Sequence, residues 1–184
     1  MPAAIKPAFK LALVGFMGSG KSCVGPILAK SLDMPFVDLD SELERRAGRS
    51  IAEIFKAEGE AAFRKLEEDV LLKLAMQGGS HVLACGGGAV ISPANRSLLA
   101  SAYITVWIDV PFAELMRRLR GERFKRPLLA SGDYENRARA LMDLRGPLYE
   151  SVCRLRYVWC EGDSDEASAS AIMRALEESR IFQA

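Results

Sequence analysis

The chain predicts an α/β fold of three layers, with one parallel sheet covered by helices on both faces. Two observations predict it. Short apolar runs alternate with segments of helical spacing along the whole chain, the pattern of successive strand–helix–strand units. The run "YITVWIDV" (Tyr103–Val110) is apolar on both faces, as strands buried inside a parallel sheet are.

The elements follow in order. Residues 1–9 read as a loose tail, and "FKLALVG" as a first strand that meets a glycine-rich turn. "KSCVGPILAKSL" has helical spacing through Val24, Ile27, Leu28 and Leu32, with Pro26 expected in the first turn, where its missing N–H does little harm. "PFVDLD" reads as a second strand, which would put Asp38 and Asp40 on one side of extended chain. Ser41–Ala47 and Ser50–Ala57 read as two short helices split by Gly48, the second opened by the capping box "SIAE". Glu60–Met76 is a longer helix with Leu66, Val70, Leu71 and Leu74 on one face. "HVLAC" is a third strand, ending in Gly86, Gly87 and Gly88. "SPANRSLLA" is a helix with serine as cap and proline at its first position. After the fourth strand, "PFAELMRRLRGE" is a helix that dissolves into the basic stretch "RGERFKRPLLASGD". "YENRARALMDLRGPLYESV" is a helix expected to be interrupted at Gly146-Pro147, "LRYVWC" a fifth strand, and "DEASASAIMRALEESR" a closing amphipathic helix. No repeat, low-complexity tract or linker divides the chain, so residues 1–184 read as one domain.

Bulk properties exclude several function classes. With 25 basic and 24 acidic residues the formal charge is +1, which gives no footprint for nucleic acid or an anionic membrane. No run approaches the ~20 apolar residues of a membrane span, and the N-terminus lacks the apolar region of a secretory signal. Cys23, Cys85, Cys153 and Cys160 form no CxxC pair, and His81 is the only histidine. That argues against a zinc site and a histidine-based triad, and it suits reduced thiols in a cytoplasmic protein. Cys23 and Cys85 lie beside candidate site loops, though small buried apolar residues are the simpler reading of both.

The strongest motif is "GFMGSGKS" (Gly15–Ser22), which satisfies G-x-x-x-x-G-K-[ST] between a strand and a helix. Gly15, Gly18 and Gly20 let the backbone turn and aim its N–H groups at phosphate oxygens, and the helix N-terminus adds partial positive charge. Lys21 would reach the β- and γ-phosphates, and the Ser22 hydroxyl would ligate Mg²⁺. The motif implies a nucleoside triphosphate with Mg²⁺ and leaves the reaction open. Asp109, at the end of the fourth strand, is one candidate for a metal-side aspartate. The alternative is a loop carboxylate that caps the following helix. Three glycines after a buried strand carry an entropic cost on ordering, which close backbone approach to a ligand would justify.

The motifs "GFMGSGKS", "VDLD", "GRSIAEIF", "GEAAFRKLEE", "CGGGAV", "RPLL" and "LRGPLY" occur in an order and spacing that resembles the shikimate kinases, over roughly Leu11 to Cys160. The resemblance implies a P-loop fold of the nucleoside-monophosphate-kinase type, with strand order 2-3-1-4-5 and a mobile lid at about residues 119–132. It implies transfer of the ATP γ-phosphoryl group to the 3-hydroxyl of shikimate, with Mg²⁺ as cofactor. It implies that Gly15, Gly18, Ser19, Gly20, Lys21, Ser22 and Cys23 bind ATP, with Lys21, Asp40 and Arg126 catalytic. Asp40 resembles the carboxylate that assists deprotonation of the shikimate hydroxyl, and Asp38 the one that reaches Mg²⁺ through water beside Ser22. Arg64 and Arg145 resemble the clamp on the shikimate carboxylate, with Gly87 and Gly88 as backbone donors. Arg126 resembles a lid arginine over the phosphates. Arg117 or Arg118 resembles the arginine that stacks on adenine, with Arg118 expected to do so.

The chemistry of the residues agrees with these roles. A carboxylate is best gripped by a planar guanidinium fork. Glu67 falls three residues after Arg64 on one helix face, where it can orient the guanidinium or meet a substrate hydroxyl. Phe55 and Phe63 can wall a ring or simply fill the core. Arg120, Arg123 and Lys125 read as a solvated basic loop. Position 23 is cysteine where threonine is usual in the family, and the metal-side Ser22 is intact. The partners implied are shikimate and ATP, with no nucleic acid or membrane, and a monomer is expected. The alternative within the class is a gluconate-like or nucleotide kinase. A P-loop switch is a third reading, and it lacks the N-K-x-D base-reading motif.

Overall fold

The structure is a computed structural model and describes residues 9–120 and 134–179. Nearly all of the expected N-terminal tail and of the expected lid, with Arg126, therefore lie outside the described residues. Among those described, five strands form one parallel sheet in the order β2-β3-β1-β4-β5. They are β1 (Lys10–Val14), β2 (Phe36–Asp38), β3 (His81–Ala84), β4 (Ile104–Asp109) and β5 (Leu155–Val158). In register, Leu11 of β1 stands opposite Val82 of β3 and Ile104 of β4.

Period-two alternation in β1 explains the three layers. Leu11 and Leu13 pack on one face, against Val24 and Leu28 of α1 (Lys21–Leu32), Leu115 of α5 (Phe112–Leu119) and Ile172 of α7 (Asp165–Glu178). Ala12 and Val14 point to the other face. There they meet Leu43 of α2 (Leu39–Ala47), Val70 and Leu71 of α3 (Ile51–Met76) and Leu99 of α4 (Pro93–Ala102). The helix α6 (Tyr134–Val152) serves both, with Ala138 in the first cluster and Tyr149 and Val152 in the second. Helices on both faces of parallel strands leave each strand end pointing one way, so the loops after β1, β2 and β3 converge.

The structure departs from the sequence reading most at Asp38–Asp40, Pro26, Gly59 and Pro147. The second strand stops at Asp38, because its carboxylate caps a helix: Oδ1 accepts from the Ser41 N–H at 3.1 Å, and α2 starts at Leu39. The alternation argument for Asp38 and Asp40 therefore fails, since Asp40 is helical. Pro26 lies in the second turn of α1, as its sixth residue, because the helix begins at Lys21. The two helices expected on either side of residues 58–59 run as one element, α3, kinked where Gly59 adopts φ +79°. The expected break at Gly146-Pro147 is absent, and α6 continues through Pro147. A proline costs a helix only one backbone bond and some bending when packing on either side holds the helix together, and Arg145 and Tyr149 are both buried there.

Candidate active site

The glycine-rich loop is built on a close approach between backbones. Gly15 adopts φ +148°, and a Cβ there would lie 2.5 Å from the Ile108 carbonyl oxygen on the neighbouring strand. Only glycine fits. The loop then delivers Gly20, at φ 93°, as the N-cap of α1, so the helix N-terminus faces the loop interior. Lys21 is nearly buried, and its Nζ donates to the carbonyls of Gly15 and Phe16, both at 2.8 Å, and to Ser19 Oγ at 3.2 Å. The lysine thus sets the curvature of the loop it serves.

Asp38 joins the loop to α2. While Oδ1 caps the helix, Oδ2 accepts from Ser22 Oγ at 2.7 Å. This pair of hard oxygen donors at a phosphate cradle fits Mg²⁺, which keeps several waters and takes few protein ligands. The described residues contain no group of three or more His, Cys, Asp or Glu side chains able to hold a metal, so a site here depends on water and phosphate oxygens. Asp109, the other candidate, points elsewhere. Its Oδ2 accepts from Arg156 at 2.6 and 3.0 Å, and it lines a separate cavity of about 400 Å³. Nor does it cap α5, whose N-cap is Pro111.

Asp40 and Glu67 converge on the glycines that end β3. A Cβ on Gly86 would lie 2.6 Å from Asp40 Oδ1 and 3.4 Å from Glu67 Oε1. Glu67 is 1% exposed, and burial pushes its carboxyl up to about 7, reinforced by the Asp40 charge and opposed by Arg64 and Arg145. Arg64 donates to Glu67 Oε2 at 2.9 Å and to Glu60 Oε1 at 3.0 Å, and lies 5.0 Å above the Phe63 ring. Phe63 is core and platform at once, with Phe55 tilted against it at 4.8 Å.

Gly87 and Gly88 are where the two candidate clamp arginines meet the loop. A Cβ on Gly88 would fall 2.5 Å from Arg64 Nη2. Arg145 is 2% exposed, with Nη1 donating to the Gly87 carbonyl at 3.3 Å and Nε without a hydrogen-bond partner. Tyr149, which sequence reasoning did not single out, donates its hydroxyl to the same carbonyl at 2.6 Å. Its spacing from Arg145, one helical turn, was the available signal. Burial keeps the Tyr149 phenol protonated well above its usual range.

A cleft of about 840 Å³ runs from Asp40 and Gly87 past Lys21 and Ser22 to Arg118 and Trp159. Arg64 and Arg145 stand behind its glycine end and do not line it. At the far end Arg118 donates to Glu114 at 2.7 Å and to the Gly18 carbonyl at 3.3 Å, over the Trp159 ring at 5.0 Å. Arg117 shares Glu114, and its side chain is 70% exposed. Trp159 and the following segment through Glu166 also line the cleft, and neither was singled out from sequence. Cys23 is exposed in the cleft, whereas Cys85 is buried and its thiol is pushed far above the usual range.

Comparison with known proteins identifies the family. A family model described as shikimate kinase matches residues 17–177. A shikimate kinase of Synechococcus sp. (strain RCC307) is 50% identical over 155 residues, covering 84% of this chain and 78% of the relative. One from Mycobacterium tuberculosis is 43% identical over 167 residues, covering 91% and 90%. Among solved structures, shikimate kinase from Acinetobacter baumannii in complex with shikimate superposes with a TM-score of 0.89 at 34% identity, over 96% of this chain and 97% of that one. Shikimate kinase from Aquifex aeolicus gives 0.78 at 33% identity, over 94% and 99%.

Proposed function

The chain belongs to the shikimate kinase family, ATP-dependent enzymes that phosphorylate the 3-hydroxyl of shikimate, and on that premise we propose how its residues divide the work. The observation that carries the reading is Arg145. A guanidinium that is 2% exposed, with an unpartnered Nε and a long 3.3 Å bond to a carbonyl, calls for an anion. Arg64 lies just across Gly88 and supplies the second half of a carboxylate clamp. Glu67 sets the direction of Arg64.

With its carboxylate held at that end, shikimate turns a ring hydroxyl toward Asp40, which accepts the hydroxyl proton as the oxygen attacks phosphorus. Gly87 and Gly88 hold the ring by backbone contact. At the other end of the cleft Arg118 takes the base of ATP, Gly15, Gly18, Ser19, Gly20 and Cys23 wrap the phosphates, and Lys21 follows the charge as it moves to the leaving oxygen. Ser22 directly and Asp38 through water would hold Mg²⁺, which neutralises the phosphate charge. Arg126 is assigned to the transferring phosphoryl group on the family resemblance alone. A monomer is taken as the working unit, and four cysteines without a CxxC pair suit a reducing cytoplasm.

The test is shikimate-dependent release of ADP by the purified protein with ATP and Mg²⁺, set beside gluconate and nucleoside monophosphates as acceptors. Release with shikimate alone is expected. Preference for another acceptor would overturn the reading.

A further inference from the structure

Two arginines adjoin the nucleotide end of the cleft and share one carboxylate, yet only Arg118 is also held against an aromatic ring and the glycine-rich loop. Glu114 accepts two bonds from Arg117, at 2.6 and 2.7 Å, and one from Arg118 at 2.7 Å, so the ion pair by itself does not single out Arg118. What distinguishes them is Trp159. The Arg118 guanidinium lies over its ring, 5.0 Å from the centroid, while Nη1 reaches the Gly18 carbonyl at 3.3 Å. Three anchors of different direction leave the planar group one orientation.

The indole is itself fixed. Its backbone N–H donates to the Asp109 carbonyl at 2.9 Å, which extends the strand pairing one residue past β5. Its Nε1–H donates to the Asp163 carbonyl at 3.3 Å. Asp163 is tied down in turn, with Oδ2 accepting from the Tyr157 hydroxyl at 2.5 Å and the Cys160 N–H at 3.0 Å. The platform therefore belongs to the sheet edge and its turn, while Arg118 belongs to α5.

We propose that Trp159 is a positioning residue for the nucleotide: its ring carries the Arg118 guanidinium where the base of ATP must stack. This rests on the assignment of Arg118 to the base. An arginine without the platform has to be ordered when the base arrives, and ordering one rotamer-rich side chain costs affinity of roughly three- to tenfold. Stacking needs a π face, so phenylalanine can serve and leucine cannot.

The experiment compares Trp159→Leu, Trp159→Phe, Arg118→Ala and the Trp159→Leu/Arg118→Ala double variant, reading KM for ATP, KM for shikimate and thermal midpoint. Trp159→Leu is expected to raise KM for ATP roughly three- to tenfold, with KM for shikimate unchanged. Trp159→Phe should stay near wild type, and the double variant should be no worse than Arg118→Ala. If Arg118→Ala raises KM for ATP and Trp159→Leu does not, the positioning role is overturned while the base assignment stands. If Arg118→Ala leaves KM for ATP unchanged, the base assignment falls and the inference with it. Additive effects in the double variant would also overturn it, because Trp159 would then act without Arg118. Should Trp159→Leu fail to fold, Trp159→Met takes its place, a long apolar side chain with no π face, and an unchanged KM for ATP would overturn the role.

Discussion

Replacing Gly88 by alanine isolates the candidate carboxylate clamp. Gly88 has φ −103° and ψ −1°, a right-handed conformation that alanine accepts, so backbone strain does not enter. The added methyl carbon, however, would lie 2.5, 2.7 and 2.9 Å from Nη2, Nη1 and Cζ of Arg64. The guanidinium is the movable partner and must shift. In shifting it strains or breaks its bond to Glu67 at 2.9 Å and its bond to Glu60 at 3.0 Å. One charge-assisted hydrogen bond is worth about 1.5–3 kcal/mol, which corresponds to a loss of roughly 10- to 150-fold in shikimate affinity. The assay is coupled ADP release, with each substrate varied in turn. KM for shikimate should rise by that factor, and KM for ATP should stay within about twofold. Gly146→Ala is the control, since nothing lies within 4 Å of its Cβ, and it should be neutral or stabilising by about 0.5–1 kcal/mol in the helix. A folded Gly88→Ala protein with wild-type KM for shikimate would refute the placement of Arg64 at the substrate. Equal rises in both KM values would refute its confinement to one end of the cleft.

Asp40→Asn should lower kcat about 10²- to 10⁴-fold, while ADP binding measured by calorimetry is retained; near-normal turnover would remove Asp40 from the proton transfer. Arg145→Met should abolish measurable saturation by shikimate without lowering the thermal midpoint, because replacing a buried cation whose Nε is unpartnered by an apolar side chain of similar volume costs little stability; a fall of several degrees would show a structural ion instead. Glu67 binds its proton more tightly when folded, with its carboxyl raised from 4.5 to about 7, so its contribution to stability is complete below pH 4.5 and is lost as pH rises to about 7. Glu67→Gln should therefore flatten the stability–pH curve in that window by about 3 kcal/mol, read from urea melts, and an unchanged slope would refute a raised Glu67.

The fold was legible because its signals are local and repeated. Each strand of this sheet is a short apolar run bounded by a turn or a cap, and Ser50, Ser92 and Ser164 cap the helices that follow them. The failures came where long-range packing outvoted a local breaker. Pro147 signals a stop, yet Arg145 and Tyr149 on either side of it are buried, and the helix carries on. Gly59 signals a stop and does turn the chain to φ +79°, yet helix resumes at once on both sides.

The site was legible to the extent that its residues sit in contiguous motifs. Trp159 and Tyr149 were missed because each acts through a partner remote in sequence, Arg118 and Gly87 respectively. The paired aspartates show how two residues can be singled out by a local argument that the fold then replaces. Extended chain would set Asp38 and Asp40 side by side, where like charges repel. The structure avoids this with one capping bond. By accepting the Ser41 N–H, Asp38 ends the strand and starts the helix, and Asp40 is carried round toward Gly86 and Glu67. Asp38 keeps its second oxygen on Ser22. The two carboxylates are thus divided between the phosphate loop and the glycine loop by the geometry of a helix N-terminus. A change that destroys the cap, such as Asp38→Ala, should damage both ends of the cleft, whereas Ser22→Ala, which leaves the cap intact, should damage only the phosphate end.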